Sequence, residues 1–124
     1  MAVLTEGKHT GEFIGELAIG IGYHVDEITV LSGEVLEAGA VLGKITASGK
    51  FVAYNDDGTD DGRRTVAGIL VEAVDATGAD AVGRALVRGP AIVNKNDLVW
   101  LSAVDAGEQA TAITAMLALG IKAV

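Results

Sequence analysis

The sequence predicts a mainly β domain of short strands with one helix near its C-terminus, and three observations carry that expectation. Seventeen glycines against a single proline, Pro90, put glycine turns between closely spaced apolar runs. Those runs are short and rich in Val and Ile, which suits strands better than helices. A single segment, from Asp105 to about Leu119, carries both helix-start and helix-stop signals.

Taken in order, residues 1–24 differ from the rest. Gly7, Gly11, Gly15, Gly20 and Gly22 punctuate them and hydrophobic periodicity is poor, so this stretch is expected to be a flexible N-terminal arm. Within it, Glu12-Phe13-Ile14-Gly15-Glu16-Leu17 alternates weakly and can extend as a strand where a partner supplies the other half of the ladder. Gly20-Ile21-Gly22 reads as a hinge between arm and body, being too short for a dinucleotide fingerprint. The body, residues 25–124, opens with the strand-like Ile28-Thr29-Val30-Leu31 and a turn at Ser32-Gly33. Residues 41–46 and 51–54 then flank Ser48-Gly49, a tight-hairpin signature because Gly49 can take positive φ.

Residues 55–64, Asn-Asp-Asp-Gly-Thr-Asp-Asp-Gly-Arg-Arg, form a polar loop without periodicity. Residues 66–74 are apolar but for Glu72 and Gly68, the best candidate for a central strand buried on both faces. Residues 82–88 read as another strand with Arg84, Leu86 and Arg88 on one face, partly solvated or paired. Gly89-Pro90 turns the chain into Ala91-Ile92-Val93, and Asn94-Lys95-Asn96-Asp97 turns it again before Leu98-Val99-Trp100-Leu101. In the helix, Ala106, Ala110, Ile113, Met116 and Leu117 mark one face, Asp105 with Glu108 resembles a capping box, and Gly120 suits the C-terminal cap. Ile121-Lys122-Ala123-Val124 closes as a short last strand.

Composition excludes several function classes. At 124 residues the chain is one domain. The longest uncharged run, residues 17–25, is broken by glycines and a histidine and is far below the roughly 20 apolar residues of a bilayer span. The N-terminus lacks the pattern of a secretory signal, so the chain is expected to stay in the compartment where it is made. Cysteine is absent, which removes disulfides, thiolate metal sites and thiol catalysis. Seventeen acids against nine bases give a net charge of −8, which repels nucleic acid. With two Phe, two Tyr and one Trp, the core must be aliphatic and offers no stacking platform for bases or sugars.

Catalytic chemistry is sought in vain. His9 and His24, the latter near Asp26 and Glu27, lack a third ligand at zinc spacing and read as solvated. Asp56, Asp57, Asp60 and Asp61 resemble a calcium loop, but no frame meets the EF-hand pattern, so a solvated acidic loop is expected. Ser32, Ser48 and Ser102 sit in no nucleophile elbow. Arg63 with Arg64 and Arg84 with Arg88 are the clustered cations, expected as ordinary surface charge. Trp100, the sole tryptophan, reads as a core or trimer-contact anchor. No catalytic residue, metal ligand or cofactor is expected.

The segment Leu36-Glu37-Ala38-Gly39-Ala40-Val41-Leu42-Gly43-Lys44-Ile45-Thr46-Ala47-Ser48-Gly49-Lys50-Phe51-Val52-Ala53-Tyr54, followed by Val66-Ala67-Gly68-Ile69-Leu70 and by Asp97-Leu98-Val99-Trp100, resembles the lambda-type head decoration proteins of tailed bacteriophages. The resemblance implies a β-clip-like domain and a structural, non-enzymatic role. It implies a homotrimer on local three-fold sites of the expanded head's outer surface, made in the host bacterial cytoplasm and stabilising the shell against packaged DNA. Residues 1–24 would be the capsid-binding arm and 25–124 the decoration domain, with no nucleic acid or membrane as partner. The arm would add a strand to the major capsid protein through Glu12, Phe13, Ile14 and Leu17. Two other readings remain: a trimeric β-clip nucleotide hydrolase of the dUTPase kind, or an outward-displayed glycan-binding capsid module. The first needs a glycine-rich phosphate-binding tail with an aromatic residue, which Ile121-Lys122-Ala123-Val124 lacks; the poverty of aromatics counts against the second.

Overall fold

The computed structural model of the protein describes residues 9–17 and 20–124. In chain order the elements are β1 (Ile14–Leu17), a helical turn α1 (Ile21–His24), β2 (Val25–Val30), β3 (Val35–Leu36), β4 (Val41–Lys44), β5 (Phe51–Ala53), β6 (Val66–Leu70), β7 (Val74–Asp75), β8 (Ala81–Leu86), β9 (Ala91–Val93), the helix α2 (Ala106–Met116) and β10 (Ile121–Ala123). Short 3-10 turns occupy Lys95–Asp97 and Leu117–Leu119. The protein is mainly β, as the glycine-spaced apolar runs require.

Five strands close into a barrel in the order β2-β5-β4-β6-β8. Its nucleus is the expected hairpin: β4 and β5 pair antiparallel with Leu42 opposite Ala53 and Lys44 opposite Phe51, and Gly49 turns the chain with φ 73°. Since side chains alternate along a strand, Leu42, Leu70 and Ala85 point into one core with Ile28, Val30, Phe51 and Ala53. Their neighbours Val41, Ile69 and Leu86 point the other way and are equally buried. Both barrel faces are therefore covered here, which is why residues 66–70 read as an unbroken apolar run. β6 lies between β4 and β8, the central place expected of it. The run ends earlier than the sequence suggests: residues 71–73 bend, and Val74–Asp75 leaves the barrel to pair with β3.

The outer face is covered by a second layer. Phe13, Ala91, Val93, Leu98, Val104, Ala112, Met116 and Ile121 pack against Val41, Ile69 and Leu86. β9 is the middle strand of a three-stranded sheet, antiparallel to β1 and parallel to β10. α2 starts where the Asp105 carboxylate accepts the Glu108 N–H at 2.8 Å, and the turn after it closes on Gly120 at φ 81°. The buried side chains of the helix are Ala112 and Met116, with Ile113 half-buried. Ala106, Ala110 and Leu117, expected on the same face, are exposed. An alanine-rich helix shows its apolar residues all round, so their spacing does not say which side is covered. Burying Met116 completely contributes about 1.5–3 kcal/mol.

Candidate functional site

The segment expected to bind outward is built into the body in part. Residues 1–8, 18 and 19 of the expected arm lie outside the described residues. From the rest, Phe13 is fully buried in the outer core and its carbonyl accepts the Asn94 N–H at 2.8 Å. β1 runs beside β9 with Ile14 opposite Val93 and Leu17 opposite Ala91, through a bulge between Ile14 and Glu16. The ladder partner that the weak alternation called for is thus supplied by the same chain. Gly11 N–H, bonded to the Val71 carbonyl at 2.9 Å, fastens the segment to the end of β6. Of the four expected contact residues, Glu12 is exposed, Ile14 and Leu17 are half-buried, and Phe13 faces inward. β1 is an edge strand, so its outer side carries main-chain groups that the sheet itself leaves open.

Two shallow grooves mark the surface, the first of them touching β1 at Glu16. One of about 330 Å³ lies on the three-stranded sheet, lined by Pro90, Ala91, Ile92 and Gly120, with Glu16 and Lys122 placing opposite charges on it. The other, about 220 Å³, is lined by Val35, Leu36, Ala40, Val99, Trp100 and Leu101. Trp100 is half-buried there and meets Tyr54 edge-on with ring centroids 6.2 Å apart, an aromatic neighbour that the sequence keeps 46 positions away. Val35 beside it is 67 % exposed, so the groove carries an apolar rim.

The titratable groups sort into pairs, and one expectation fails. His24 is fully buried, not solvated, and its Nδ1 lies 3.0 Å from the Arg88 carbonyl. The helical turn α1, where a hinge was expected, swings the ring under the end of β8. Arg88 holds both Asp26 carboxylate oxygens, at 2.9 and 2.6 Å, and donates to the Tyr23 carbonyl. Those bonds keep Asp26 below the usual carboxylate range. Arg63 grips Asp61 with two guanidinium nitrogens and lowers it likewise, while Arg64 donates to the Gly58 carbonyl. Arg84 meets Glu72 at 3.2 Å. These cations serve contacts within the chain.

The acidic loop meets the helix. Carboxylate oxygens of Asp56, Asp57 and Glu108 lie within 4.8 Å of one another. Glu108 Oε2 is shut off from solvent without a hydrogen-bond partner, and that desolvation, followed by the negative charges of Asp57 and Asp105, holds Glu108 above the ordinary glutamate range. This meeting of loop and helix is not visible in the sequence, where Asp105 and Glu108 read only as a helix cap. Among the described residues no helix is long and apolar enough to cross a membrane.

The family model for bacteriophage lambda head decoration protein D matches residues 3–121. The chain belongs to that family. It is therefore a phage capsid decoration protein, a structural component that binds the capsid of the virion. None of the curated proteins matches it. For a decoration protein the useful features are surfaces rather than a catalytic cleft, and the described structure offers an open strand edge at β1, a groove beside it and a second groove at Trp100. The grooves leave no local trace in the sequence, because Ile92 and Lys122 meet in one and Val35 and Trp100 in the other only through the fold.

Proposed function

We propose that this protein binds as a homotrimer on the outer surface of the expanded head, at local three-fold sites, and braces the major capsid protein against the pressure of packaged DNA. The match to the decoration family across residues 3–121 carries the reading. The open edge of β1 supports a strand-adding contact, in which main-chain hydrogen bonds supply affinity and alternate side chains supply choice of partner. Glu12, Ile14 and Leu17 would then face the capsid, and Phe13 would hold the strand in place from beneath. Trp100, with the apolar rim at Val35 and Leu101, is the proposed trimer contact. Three arms on one trimer act at high effective concentration, so docking that is weak singly becomes firm where the lattice presents three matching sites. The charge of −8 suits a face turned away from DNA.

The test is sedimentation of the purified protein with expanded, undecorated heads, beside the mass of the free protein. Saturable binding at three copies per three-fold site supports the proposal. Absence of binding to a competent shell overturns it.

A further inference from the structure

The loop of residues 55–64 holds two aspartyl-glycyl pairs, Asp57-Gly58 and Asp61-Gly62, and the structure treats their carboxylates differently. Such a pair can rearrange because a glycine has no Cβ to shield its main-chain nitrogen from the preceding carboxyl carbon. At Asp61 the carboxylate is held. Arg63 binds the carboxylate through its main-chain N–H at 3.3 Å, Nε at 3.0 Å and a terminal nitrogen at 2.9 Å. Both glycines are close-packed, a Cβ at Gly62 lying 2.7 Å from Thr46 Oγ1 and one at Gly58 2.9 Å from Arg63 Cδ, so the difference between the pairs lies at the carboxylates. At Asp57 the side chain is exposed, no cation among the described residues holds it, and the Gly58 N–H bonds the Asn55 carbonyl at 3.2 Å. Beside that carboxylate stands Glu108, with an oxygen shut off from solvent.

We propose that Asp57-Gly58 is a self-modification site at which the chain converts to the isoaspartyl form, Glu108 acting as the proton donor, while Arg63 arrests the same reaction at Asp61. The Gly58 nitrogen attacks Asp57 Cγ and a new N–Cγ bond forms. The Cγ–O bond breaks, and that oxygen leaves as water with two protons, one from the Gly58 N–H and one from Glu108. The resulting succinimide takes up one water, and opening at its α-carbonyl routes the main chain through Cβ. That step returns a carboxylate and a proton, so Glu108 is restored and the mass of the chain is unchanged. A proton donor is needed because the departing oxygen leaves a carboxylate poorly, and Glu108 is held above the usual glutamate range by desolvation and by Asp57. Modification lengthens the main chain by one carbon where the loop meets the start of α2, so it would mark aged particles by loosening that contact.

The experiment incubates the full chain for weeks at mildly acidic and mildly alkaline pH and locates isoaspartate by electron-transfer fragmentation of its peptides. Isoaspartate at position 57 exceeding that at 61 by about tenfold is expected, since freeing Asp61 means breaking charged hydrogen bonds. Arg63→Ala should raise position 61 towards 57. Glu108→Gln, which keeps the main-chain N–H that Asp105 caps, should remove the acid-side acceleration. Where Glu108→Gln fails to fold, Arg63→Ala, which leaves Glu108 in place, still tests the contrast between the two positions. Equal formation at 57 and 61, no product at 57, or a pH profile unchanged in a folded Glu108→Gln chain would each overturn the proposal.

Discussion

The barrel interior and the layer that covers it are both aliphatic cores, but they draw on opposite kinds of sequence neighbourhood. Inside the barrel, Leu42, Phe51 and Ala53 come from one hairpin, Ile28 from the strand β2 before it, and Leu70 and Ala85 from strands that follow it. The cover gathers Phe13 from one end of the chain, Met116 and Ile121 from the other, and Val93 between them, over strands that already exist. Closing the second core thus needs contacts of far greater sequence separation, whose loop-closure entropy is met only after the barrel has formed. The difference teaches that the cover is the part of the fold most exposed to partial opening, and it is the part that carries β1.

The largest test compares Phe13→Ala with Leu42→Ala. Each removes a fully buried side chain, with expected losses of ~3–5 kcal/mol for Phe13 and ~2–5 kcal/mol for Leu42 in denaturant unfolding. Hydrogen exchange separates them. Phe13→Ala should release the amides of β1, β9 and β10 while the barrel strands stay protected, whereas Leu42→Ala should lower protection throughout. Uniform loss in both variants would make barrel and cover one cooperative unit and end the distinction. The same logic makes deletion of residues 1–17 a poor probe of capsid binding, since it removes Phe13 along with any contact residues.

A smaller effect is expected at Trp100. Because it is half-buried against Tyr54, Trp100→Ala should cost about 1–3 kcal/mol, less than a full core truncation. A loss that grows with protein concentration would place the residue at a contact between copies; a concentration-independent loss would leave it to the cover alone. Asp105→Ala comes next, at ~1 kcal/mol, because the Glu108 N–H loses its capping oxygen. Far-ultraviolet dichroism should show α2 fraying with the barrel signal intact.

How far the fold was legible follows the same division. The β4–β5 hairpin was readable because Gly49 and alternation are local signals, and the start and stop of α2 were readable because Asp105 and Gly120 are too. The side of the helix that is covered was not, since Ala106, Ala110 and Leu117 look as apolar as Ala112 and Met116, and only the barrel beneath decides between them. His24 misled for a related reason. A histidine among glycines reads as solvated, yet the turn of α1 puts it beneath Arg88, 64 positions on. At the candidate surface, Glu12, Ile14 and Leu17 were visible as a strand in search of a ladder, but the ladder, β9, is in the same chain. The grooves depend on side chains from separate strands and left no local trace.

The mildest test sets one carboxylate of the barrel against one of the cover. Asp26, on β2, has its native pKa lowered from 3.8 by hydrogen bonds from Arg88, so its contribution is present above the unfolded value and fades as pH falls through the native one. Glu108, on α2, has its native pKa raised from 4.5 by desolvation and then by Asp57 and Asp105. It favours the folded state in acid, and that support is lost as pH rises through the native value. Asp26→Asn should therefore lower the unfolding midpoint at neutral pH and leave it unchanged in strong acid. Glu108→Gln should raise the midpoint at neutral pH, where the native glutamate is charged among other acids, and lose its advantage in acid. Both shifts should be small because these side chains are partly solvated. Opposite signs in midpoints followed across pH would show that the barrel seam is tightened by its charges while the junction of cover and loop is loosened by them. Shifts of the same sign would mean that Glu108 has a partner in solution that offsets its acidic neighbours.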